Sequence, residues 1–269
     1  MESKVEPPVA IVTGGARGIG RTIAGTMAAA GMRTVILDNH AENLKSAQAE
    51  FQEHGWVGKH YLCDVRDVEK VRSSVADVVD TYGKVDILVN NAGVAGGGPV
   101  DSMSEDVWRS IIDVNLSGTF YVSRSVIPYM KAQHHGRIIN ASSYAAITPS
   151  YGGAAYAASK AGVHLFTRVL ASELGPWNIT VNCYAPGMVP TQMNHFADLP
   201  EDRQSRLLDM LSLRRWGRAE EVASLIMFLV SDAASYITGS LIDVSGGKLA
   251  TQRPEVDYES YERSIRDDA

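Results

Sequence analysis

The sequence predicts a single α/β domain, a Rossmann-type doubly wound sheet of about seven parallel strands with helices on both faces. Short apolar runs rich in β-branched residues alternate with longer helical patterns along the 269 residues, which is typical of βαβ units. The first such run leads through a glycine-rich turn into a helix. No linker, repeat or low-complexity segment divides the chain, so one domain over residues 1–269 is preferred to two.

Short, continuous apolar runs are typical of strands that helices cover on both faces. Seven strands are expected, at residues 8–13, 33–38, 59–63, 85–90, 137–140, 179–184 and 241–244. The first helix is expected to end near residue 30. Further helices are expected at residues 41–54, 68–82, 104–113 and 117–133, in the segment that carries Tyr156 and ends near residue 174, and at residues 220–231. Right-handed crossovers would connect the parallel strands.

Two segments depart from this alternation. Residues 188–217 are long, mixed and charged, and they follow the carboxyl end of a strand, where such insertions are often lids. We therefore predict a substrate lid there. The polar tail, residues 248–269, is expected either to be disordered or to fold onto a neighbouring subunit, and the sequence does not choose between the two.

Composition predicts a cytoplasmic protein that binds neither nucleic acid nor membrane. The net charge is −6, which offers no basic attraction for polyanions. The N-terminal residues lack the apolar stretch of a secretory signal. The apolar run at 222–230 is far shorter than the roughly 20 residues that span a bilayer. Two cysteines, Cys63 and Cys183, define no disulfide or zinc pattern, so no metal is expected.

The glycine-rich turn after the first strand predicts a dinucleotide site. Gly14, Gly18 and Gly20 would let the backbone approach a pyrophosphate, and the following helix would present its N-terminus to the phosphates. Asp38 ends the second strand, where an acid binds the adenosine ribose hydroxyls and repels the extra phosphate of NADP. Arg17 argues weakly for NADP. We expect NAD, with NADP less favoured, and a strand-end cap remains the alternative role for Asp38.

Three further positions follow predicted strands, at the edge where open α/β sheets bind ligands. Asp64 could accept the adenine amino group, although capping of the next helix is an alternative. Val65 follows it directly. Asn91, Ala92 and Gly93 come after the fourth strand, where small residues would let a cofactor approach the sheet.

Tyr156 and Lys160 lie four residues apart in a predicted helix, so their side chains share one face. A cation within about 4–6 Å lowers the pKa of a phenol by favouring the phenolate. Ser143 could hold a substrate oxygen in line with that phenol. These residue types can move a proton on or off an alcohol. Tyr144 follows Ser143 and either faces substrate or packs, whereas Tyr151 is expected in the pocket wall.

Together these motifs resemble the short-chain dehydrogenase/reductase family, in its roughly 250-residue branch with Tyr-x-x-x-Lys. Six matched elements occur in the family's order. They are Thr-Gly-x-x-x-Gly-x-Gly at 13–20, Asn-Asn-Ala-Gly at 90–93, Asn115, Ser143, Tyr156 with Lys160, and Pro186-Gly187. The match extends over about residues 9–247. Val-Ser-Gly-Gly at 244–247 departs mildly from the family's usual Val-Asp-Gly-Gly.

The resemblance implies a role for each matched residue. Tyr156 would be the general acid and base, Ser143 would orient the substrate oxygen, and Asn115 would hold a water that links Lys160 to solvent. Lys160 would lower the tyrosine pKa and hold the nicotinamide ribose. The remaining cofactor contacts would come from Gly14, Arg17, Gly18, Ile19, Gly20, Asn91, Ala92, Gly93, Pro186, Gly187, Val189 and Thr191.

The expected function is therefore an NAD-dependent alcohol dehydrogenase or ketone reductase acting on a small-molecule secondary alcohol or its ketone. The family's habits also imply a homo-oligomer, a dimer or a homotetramer. Two alternatives stay open. One is a 3-oxoacyl thioester reductase that uses NADPH, against which Asp38 and the acidic balance count. The other is a non-catalytic dinucleotide-binding protein, against which the complete tetrad of Asn115, Ser143, Tyr156 and Lys160 counts.

Overall fold

A computed structural model describes residues 6–250, 258–259 and 261–262 of the chain. Its centre is a seven-stranded parallel sheet in the order β3-β2-β1-β4-β5-β6-β7. The chain moves outward from β1 to β3, returns to the other side of β1, and continues from β4 to β7. This confirms the doubly wound Rossmann-type sheet. The strand order reverses between β1 and β4, which is where such sheets bind ligands.

The strands and helices alternate as the sequence predicts, with boundary differences of one or two residues. The strands are β1 (Val9–Thr13), β2 (Arg33–Asp38), β3 (Gly58–Leu62), β4 (Ile87–Asn90), β5 (Gly136–Ala141), β6 (Ile179–Pro186) and β7 (Leu241–Val244). The helices are α1 (Gly18–Ala29), α2 (Ala41–Glu53), α3 (Val68–Tyr82), α4 (Glu105–Ile112), α5 (Gly118–Ala132), α6 (Ala154–Leu174), α7 (Glu201–Leu208) and α8 (Ala219–Val230).

Helices cover both faces of the sheet, which explains why strand residues are buried whichever way they point. Ala10 and Val12 of β1 pack with residues of α1 and α8 on one face. Val9 and Ile11 pack with residues of α3, α5 and α6 on the other. Alternate side chains of one strand thus enter two separate cores, as the two-residue period of a strand requires. Among the described residues, no helix is both long and apolar enough to span a membrane.

Two elements differ from the sequence prediction. The separate helices expected at 104–113 and 117–133 are joined by a π-helical turn, Asp113–Ser117, which contains Asn115. The segment 188–217 includes a regular helix, α7, that the mixed composition concealed. Single π-turns within α-helices are rare and occur often at functional sites.

Candidate active site

A cavity of about 400 Å³ opens at the carboxyl ends of the strands, around the point where the strand order reverses. Apart from Asn115, every residue that the sequence predicts for cofactor binding or catalysis lines it. These residues are Gly14, Arg17, Gly18, Ile19, Gly20, Asp38, Asp64, Val65, Asn91, Ala92, Gly93, Ser143, Tyr156, Lys160, Pro186, Gly187, Val189 and Thr191. The predicted adenosine and proton-transfer positions therefore share one continuous space.

The glycine turn after β1 leaves no room for side chains at its key positions. A Cβ atom at Gly20 would lie 2.1 Å from the carbonyl oxygen of Gly14, and one at Gly14 would lie 2.9 Å from Cα of Ala92. Gly14 and Gly18 also have positive φ angles of 61° and 54°, which L side chains disfavour. The turn is thus shaped as a backbone-lined cradle before helix α1, which fits the pyrophosphate of a dinucleotide.

Asp38 ends β2 inside the cavity and is almost fully buried. Its Oδ2 accepts a hydrogen bond from the backbone N–H of Ala16 at 3.0 Å, and its Oδ1 accepts one from that of His40 at 3.0 Å. Asp38 therefore ties the glycine turn to the end of β2, as the capping alternative expected. It also presents a carboxylate to the cavity, as the ribose interpretation expected. Arg17 is exposed at the same cavity.

Asp64 does not cap helix α3, which corrects that alternative. Asp67 caps it, because its carboxylate accepts from the N–H of Lys70 at 2.9 Å. Asp64 instead binds Arg66, whose guanidinium reaches both carboxylate oxygens at 2.7–3.1 Å. This pairing lowers the pKa of Asp64. A carboxylate that is already paired has less capacity to accept the adenine amino group.

Asn91 has a structural task that the sequence did not reveal. Its side-chain N–H groups donate to the carbonyl oxygens of Thr13 and Gly14 at 3.2 and 3.1 Å. Its Oδ1 accepts from the hydroxyl of Tyr184 at 3.0 Å. The Thr13 hydroxyl in turn accepts from the N–H groups of Asn91 and Ala92, both at 3.0 Å. Both side-chain N–H groups of Asn91 are therefore engaged within the protein, and its expected contact with adenosine stays a prediction.

Tyr156 and Ser143 meet in the cavity wall. The Ser143 hydroxyl accepts a hydrogen bond from the N–H of Ala145 at 3.1 Å. Burial raises the pKa of Tyr156, and the hydrogen bond with Ser143 acts in the opposite direction. The neighbouring Ser142 points elsewhere, because its hydroxyl donates to the carbonyl of Lys160 at 3.0 Å. Ser143 is thus the serine placed beside the phenol.

Lys160 is buried, and its ammonium donates to the carbonyl of Ala141 at 2.8 Å. Burial lowers its pKa to about 8. The ammonium nitrogen lies 5.8 Å from the centre of the Tyr156 ring. Desolvation therefore dominates the pKa of this phenol in the protein alone and raises it. The lowering effect expected of Lys160 stays a prediction.

Asn115 lies behind the cavity wall in the π-turn and is fully buried. Its amide exchanges hydrogen bonds with the backbone of Val94, at 2.8 and 3.0 Å, and donates to the Ser159 hydroxyl at 3.0 Å. A Cβ atom at Gly93 would lie 3.2 Å from Oδ1 of Asn115 and 3.5 Å from Nζ of Lys160. Asn115 and Lys160 thus converge at Gly93. The water-holding role of Asn115 stays a prediction.

The segment after β6 lines part of the cavity, and a Cβ atom at Gly18 would lie 3.6 Å from the Thr191 side chain. Thr191, Gln192, Met193, Asn194 and Phe196 line the cavity. Asn194 fixes this turn, since its amide donates to the Val189 carbonyl at 2.8 Å and accepts from the N–H of Thr191 at 3.1 Å. Phe196 stacks on Trp216 with ring centres 5.7 Å apart. Phe196, which lines the cavity, is therefore held by a residue near the other end of the segment.

Tyr144 lines the cavity, whereas Tyr151 does not. The expectation for Tyr151 is wrong, because the side chain is 92% exposed beside a separate surface cleft. The described part of the tail packs on its own chain. Glu262 lies 3.7 Å from Arg214, whose guanidinium also covers the Tyr258 ring at 5.2 Å. Contact of the tail with a neighbouring subunit stays a prediction, and the rest of residues 251–269 lies outside the described part.

Several lining residues were not predicted from the sequence. Most lie beside a predicted position or next to the end of a strand, so strand-end position was the available signal. They are Leu37, Asn39, Cys63, Val94, Ala95, Val114, Ala141, Ala145, Ser150, Gly153, Tyr184, Gln192 and Asn194.

A parallel sheet with a glycine cradle and a tyrosine–lysine–serine cluster in one cavity defines a dinucleotide-binding oxidoreductase. The family model described as short chain dehydrogenase matches residues 8–202. The chain belongs to the short-chain dehydrogenase/reductase family, as the motifs predicted, and it is an oxidoreductase of that family.

Proteins similar to this chain differ in the reactions and cofactors that they are named for. A 3-oxoacyl-[acyl-carrier-protein] reductase, FabG, of Thermotoga maritima is 41% identical over 246 residues, which are 91% of this chain and 98% of that protein. A xylitol dehydrogenase solved with NAD⁺ bound is 31% identical, with a TM-score of 0.86 over 91% of this chain and 100% of that one. An actinorhodin polyketide ketoreductase solved with NADPH is 34% identical, with a TM-score of 0.86 over 90% of this chain and 97% of that one.

Proposed function

We propose that this chain is an NAD-dependent oxidoreductase that interconverts a secondary alcohol and its ketone, with Tyr156 as the general acid and base. The observation that carries the proposal is the shared cavity. Tyr156, Ser143 and Lys160 line the same space as the glycine cradle and the Asp38 carboxylate. An ionisable group whose pKa burial has shifted, in such a cavity, is a candidate for proton transfer.

The chain's own residues divide the work at the reacting carbon. The Ser143 hydroxyl can hold the substrate oxygen beside the phenol, and Tyr156 gives or takes the proton at that oxygen. Lys160 places a positive charge behind Tyr156 and has donor capacity left for a ribose hydroxyl. A bound nicotinamide would supply the hydride donor or acceptor, and in its oxidised form a charge that favours the phenolate. Residues 188–217 would form the lid that excludes water.

Asp38 supports NAD as the cofactor. An NADP phosphate on the adenosine ribose would bring negative charge next to this buried carboxylate, and Coulomb repulsion in a partly desolvated site is large. Asp38 cannot move away without breaking its bonds to Ala16 and His40. The attraction of a single exposed Arg17 for that phosphate is smaller than the repulsion by Asp38. A cytoplasmic location and a homo-oligomeric assembly belong to the same proposal.

The proposal is tested with the Tyr156→Phe variant in a spectrophotometric screen of secondary alcohols with NAD and of ketones with NADH. Removing the proton carrier should lower kcat/KM by about 10²- to 10⁴-fold. Tyr151→Phe is the matched control, because this tyrosine is exposed outside the cavity, and it should retain the parent rate. A Tyr156→Phe protein as active as the parent would remove the tyrosine from the mechanism.

A second candidate is a 3-oxoacyl thioester reductase that uses NADPH. The similarity to the Thermotoga maritima reductase favours it, and so does the NADPH-bound structure among the similar proteins. The two candidates separate in one comparison of kcat/KM, between a simple ketone with NADH and a 3-oxoacyl thioester with NADPH. A higher value for the thioester pair would select the second candidate. Dinucleotide binding without turnover of either pair would indicate a non-catalytic protein.

A further inference from the structure

Within the described residues, Lys248 places a cation beside the cavity without a carboxylate in ion-pair distance. Its ammonium nitrogen lies 5.0 Å from the centre of the Tyr144 ring and 3.6 Å from the sulfur of Met210. Two other partly buried cations, by contrast, have acid partners: Arg21 pairs with Glu50 at 2.6 Å and Arg214 with Asp209 at 2.7 Å. Across residues 6–250 and the described part of the tail, no such pair involves Lys248.

The position of Lys248 is set by two neighbouring segments. Its backbone N–H donates to the Ser245 hydroxyl at 3.2 Å, just after β7. The Ser212 hydroxyl donates to the carbonyl oxygen of Gly247 at 3.1 Å. The N–H of Leu213 donates to the carbonyl oxygen of Gly246 at 2.9 Å. These bonds fasten the residues before Lys248 to the segment after α7, so its backbone is held in place.

Lys248 lies at the substrate end of the cavity, away from its acids. Tyr144, whose ring it covers, lines the cavity and directly follows Ser143. The two carboxylates of the lining, Asp38 and Asp64, follow β2 and β3. In the sheet order these strands lie on the opposite side of β1 from β5, β6 and β7. Among the described lining residues, none at the substrate end is acidic.

The surroundings of Lys248 favour an anion. Burial lowers the pKa of its ammonium, because the thioether and the aromatic ring beside it replace water only partly. A partly desolvated cation without a counter-ion is costly, and an anion delivered to it gains a charge-assisted hydrogen bond. A ring-stacked ammonium also keeps donor capacity for an oxygen acceptor.

Resting on the proposed function, we propose that Lys248 binds a carboxylate of the substrate, so that the substrates are oxo acids and the corresponding hydroxy acids. The carbonyl oxygen would lie between Ser143 and Tyr156, and the carboxylate would extend past Tyr144 to Lys248. Lys248 is then a specificity-determining residue, which binds the distant end of the substrate and takes no part in proton transfer.

The test uses matched pairs of probes: 3-oxobutanoate, 4-oxopentanoate and 5-oxohexanoate, each beside its methyl ester. KM and kcat are measured with NADH, and binding of each probe is measured by calorimetry to the protein saturated with NAD. The parent should prefer at least one acid over its ester by about tenfold or more in KM and in Kd, since the methyl ester lacks the charge.

Variants assign that preference to the residue. Lys248→Met, with Lys248→Gln as a second neutral variant, should abolish the preference through KM while kcat for the esters stays at the parent value. Lys248→Arg should keep most of it. Lys131→Met is the matched control, because Lys131 also covers an aromatic ring, that of Trp177 at 3.7 Å, but lies at the far end of α5.

Each outcome decides the inference separately from the function. Turnover of the esters without a preference for any acid overturns the role of Lys248 and leaves the proposed function standing. A preference that survives in both neutral variants also overturns that role. Tighter binding of acids that depends on Lys248, without turnover of any probe, supports the role and overturns the proposed function. Failure of every acid to bind overturns the role.

Discussion

Lys160 carries its charge in an almost fully buried position. Burial lowers its pKa from 10.5 to about 8, which corresponds to roughly 3 kcal/mol of destabilisation while the lysine is protonated in both the folded and the unfolded protein. The hydrogen bond to the Ala141 carbonyl returns about 1 kcal/mol of that. Lys160 therefore reduces the stability of the free protein at neutral pH.

We predict that Lys160→Met raises the free energy of unfolding at pH 7 by about 2 kcal/mol, while activity is lost. The folded-state pKa lies below the unfolded one, so the penalty is complete below pH 8 and is relieved as the pH rises from about 8 to 10.5. The parent should thus approach the variant in stability over that window. Urea unfolding across pH 7–10.5 measures it, with Lys45→Met as a surface control. A pH-independent difference would contradict the prediction.

At the scale of elements, Asp38 joins three of them. It ends β2, holds the glycine turn through the N–H of Ala16, and bonds the N–H of His40 at the start of α2. Its charge and its hydrogen bonds are separate contributions, which two substitutions can distinguish. Asparagine removes the charge and keeps one of the two acceptor oxygens, whereas alanine removes the charge and both oxygens.

We predict that Asp38→Asn improves kcat/KM with NADP relative to NAD by about tenfold or more, because the repulsion of the ribose phosphate is lost. Asp38→Ala should show the same shift and, in addition, lower stability by about 1–3 kcal/mol, because the buried N–H of Ala16 and the partly buried N–H of His40 lose their acceptors. Kinetics with both cofactors and thermal unfolding measure these effects, and Asp106→Asn, exposed on α4, is the control. Unchanged cofactor preference in both variants would reduce Asp38 to a cap.

The strands and most helices could be predicted because their apolar periodicity is local information. The π-turn that holds Asn115 could not, because nothing in Asp-Val-Asn-Leu-Ser distinguishes it from an ordinary helical turn. Helix α7 was missed because its residues are mostly polar and none of them is buried, so no apolar stripe marks it. The tie between Asn91 and Tyr184 joins residues 93 positions apart, which no local pattern can reveal.

The whole molecule exposes apolar side chains on two neighbouring helices. Leu165 and Val169 of α6 are 58% and 57% exposed and share one face, and Phe120 of α5 is 41% exposed. Phe120 packs against Phe166 with ring centres 6.3 Å apart, so the two helices form one surface. Adjacent exposed apolar groups of this kind mark interaction sites, which supports the homo-oligomer expected from the family.

We predict that the parent sediments as a dimer or tetramer of the 29.1 kDa chain, and that the double variant Leu165→Glu with Val169→Glu sediments as a monomer. Two buried carboxylates would each face an apolar partner, and unpaired buried charge is strongly destabilising to an interface. Val57→Glu is the control, because it places a charge at an exposed valine next to the edge strand β3, away from α5 and α6. It should not change the mass of the sedimenting species. A double variant that stays oligomeric would place the interface elsewhere.

The hydrogen bonds among Thr13, Asn91 and Tyr184 join the carboxyl ends of β1, β4 and β6 before any ligand arrives. The crevice between the two halves of the sheet is thus preorganised, and a dinucleotide can enter it without ordering the backbone that receives it. Little conformational entropy is therefore lost at this end of the cavity.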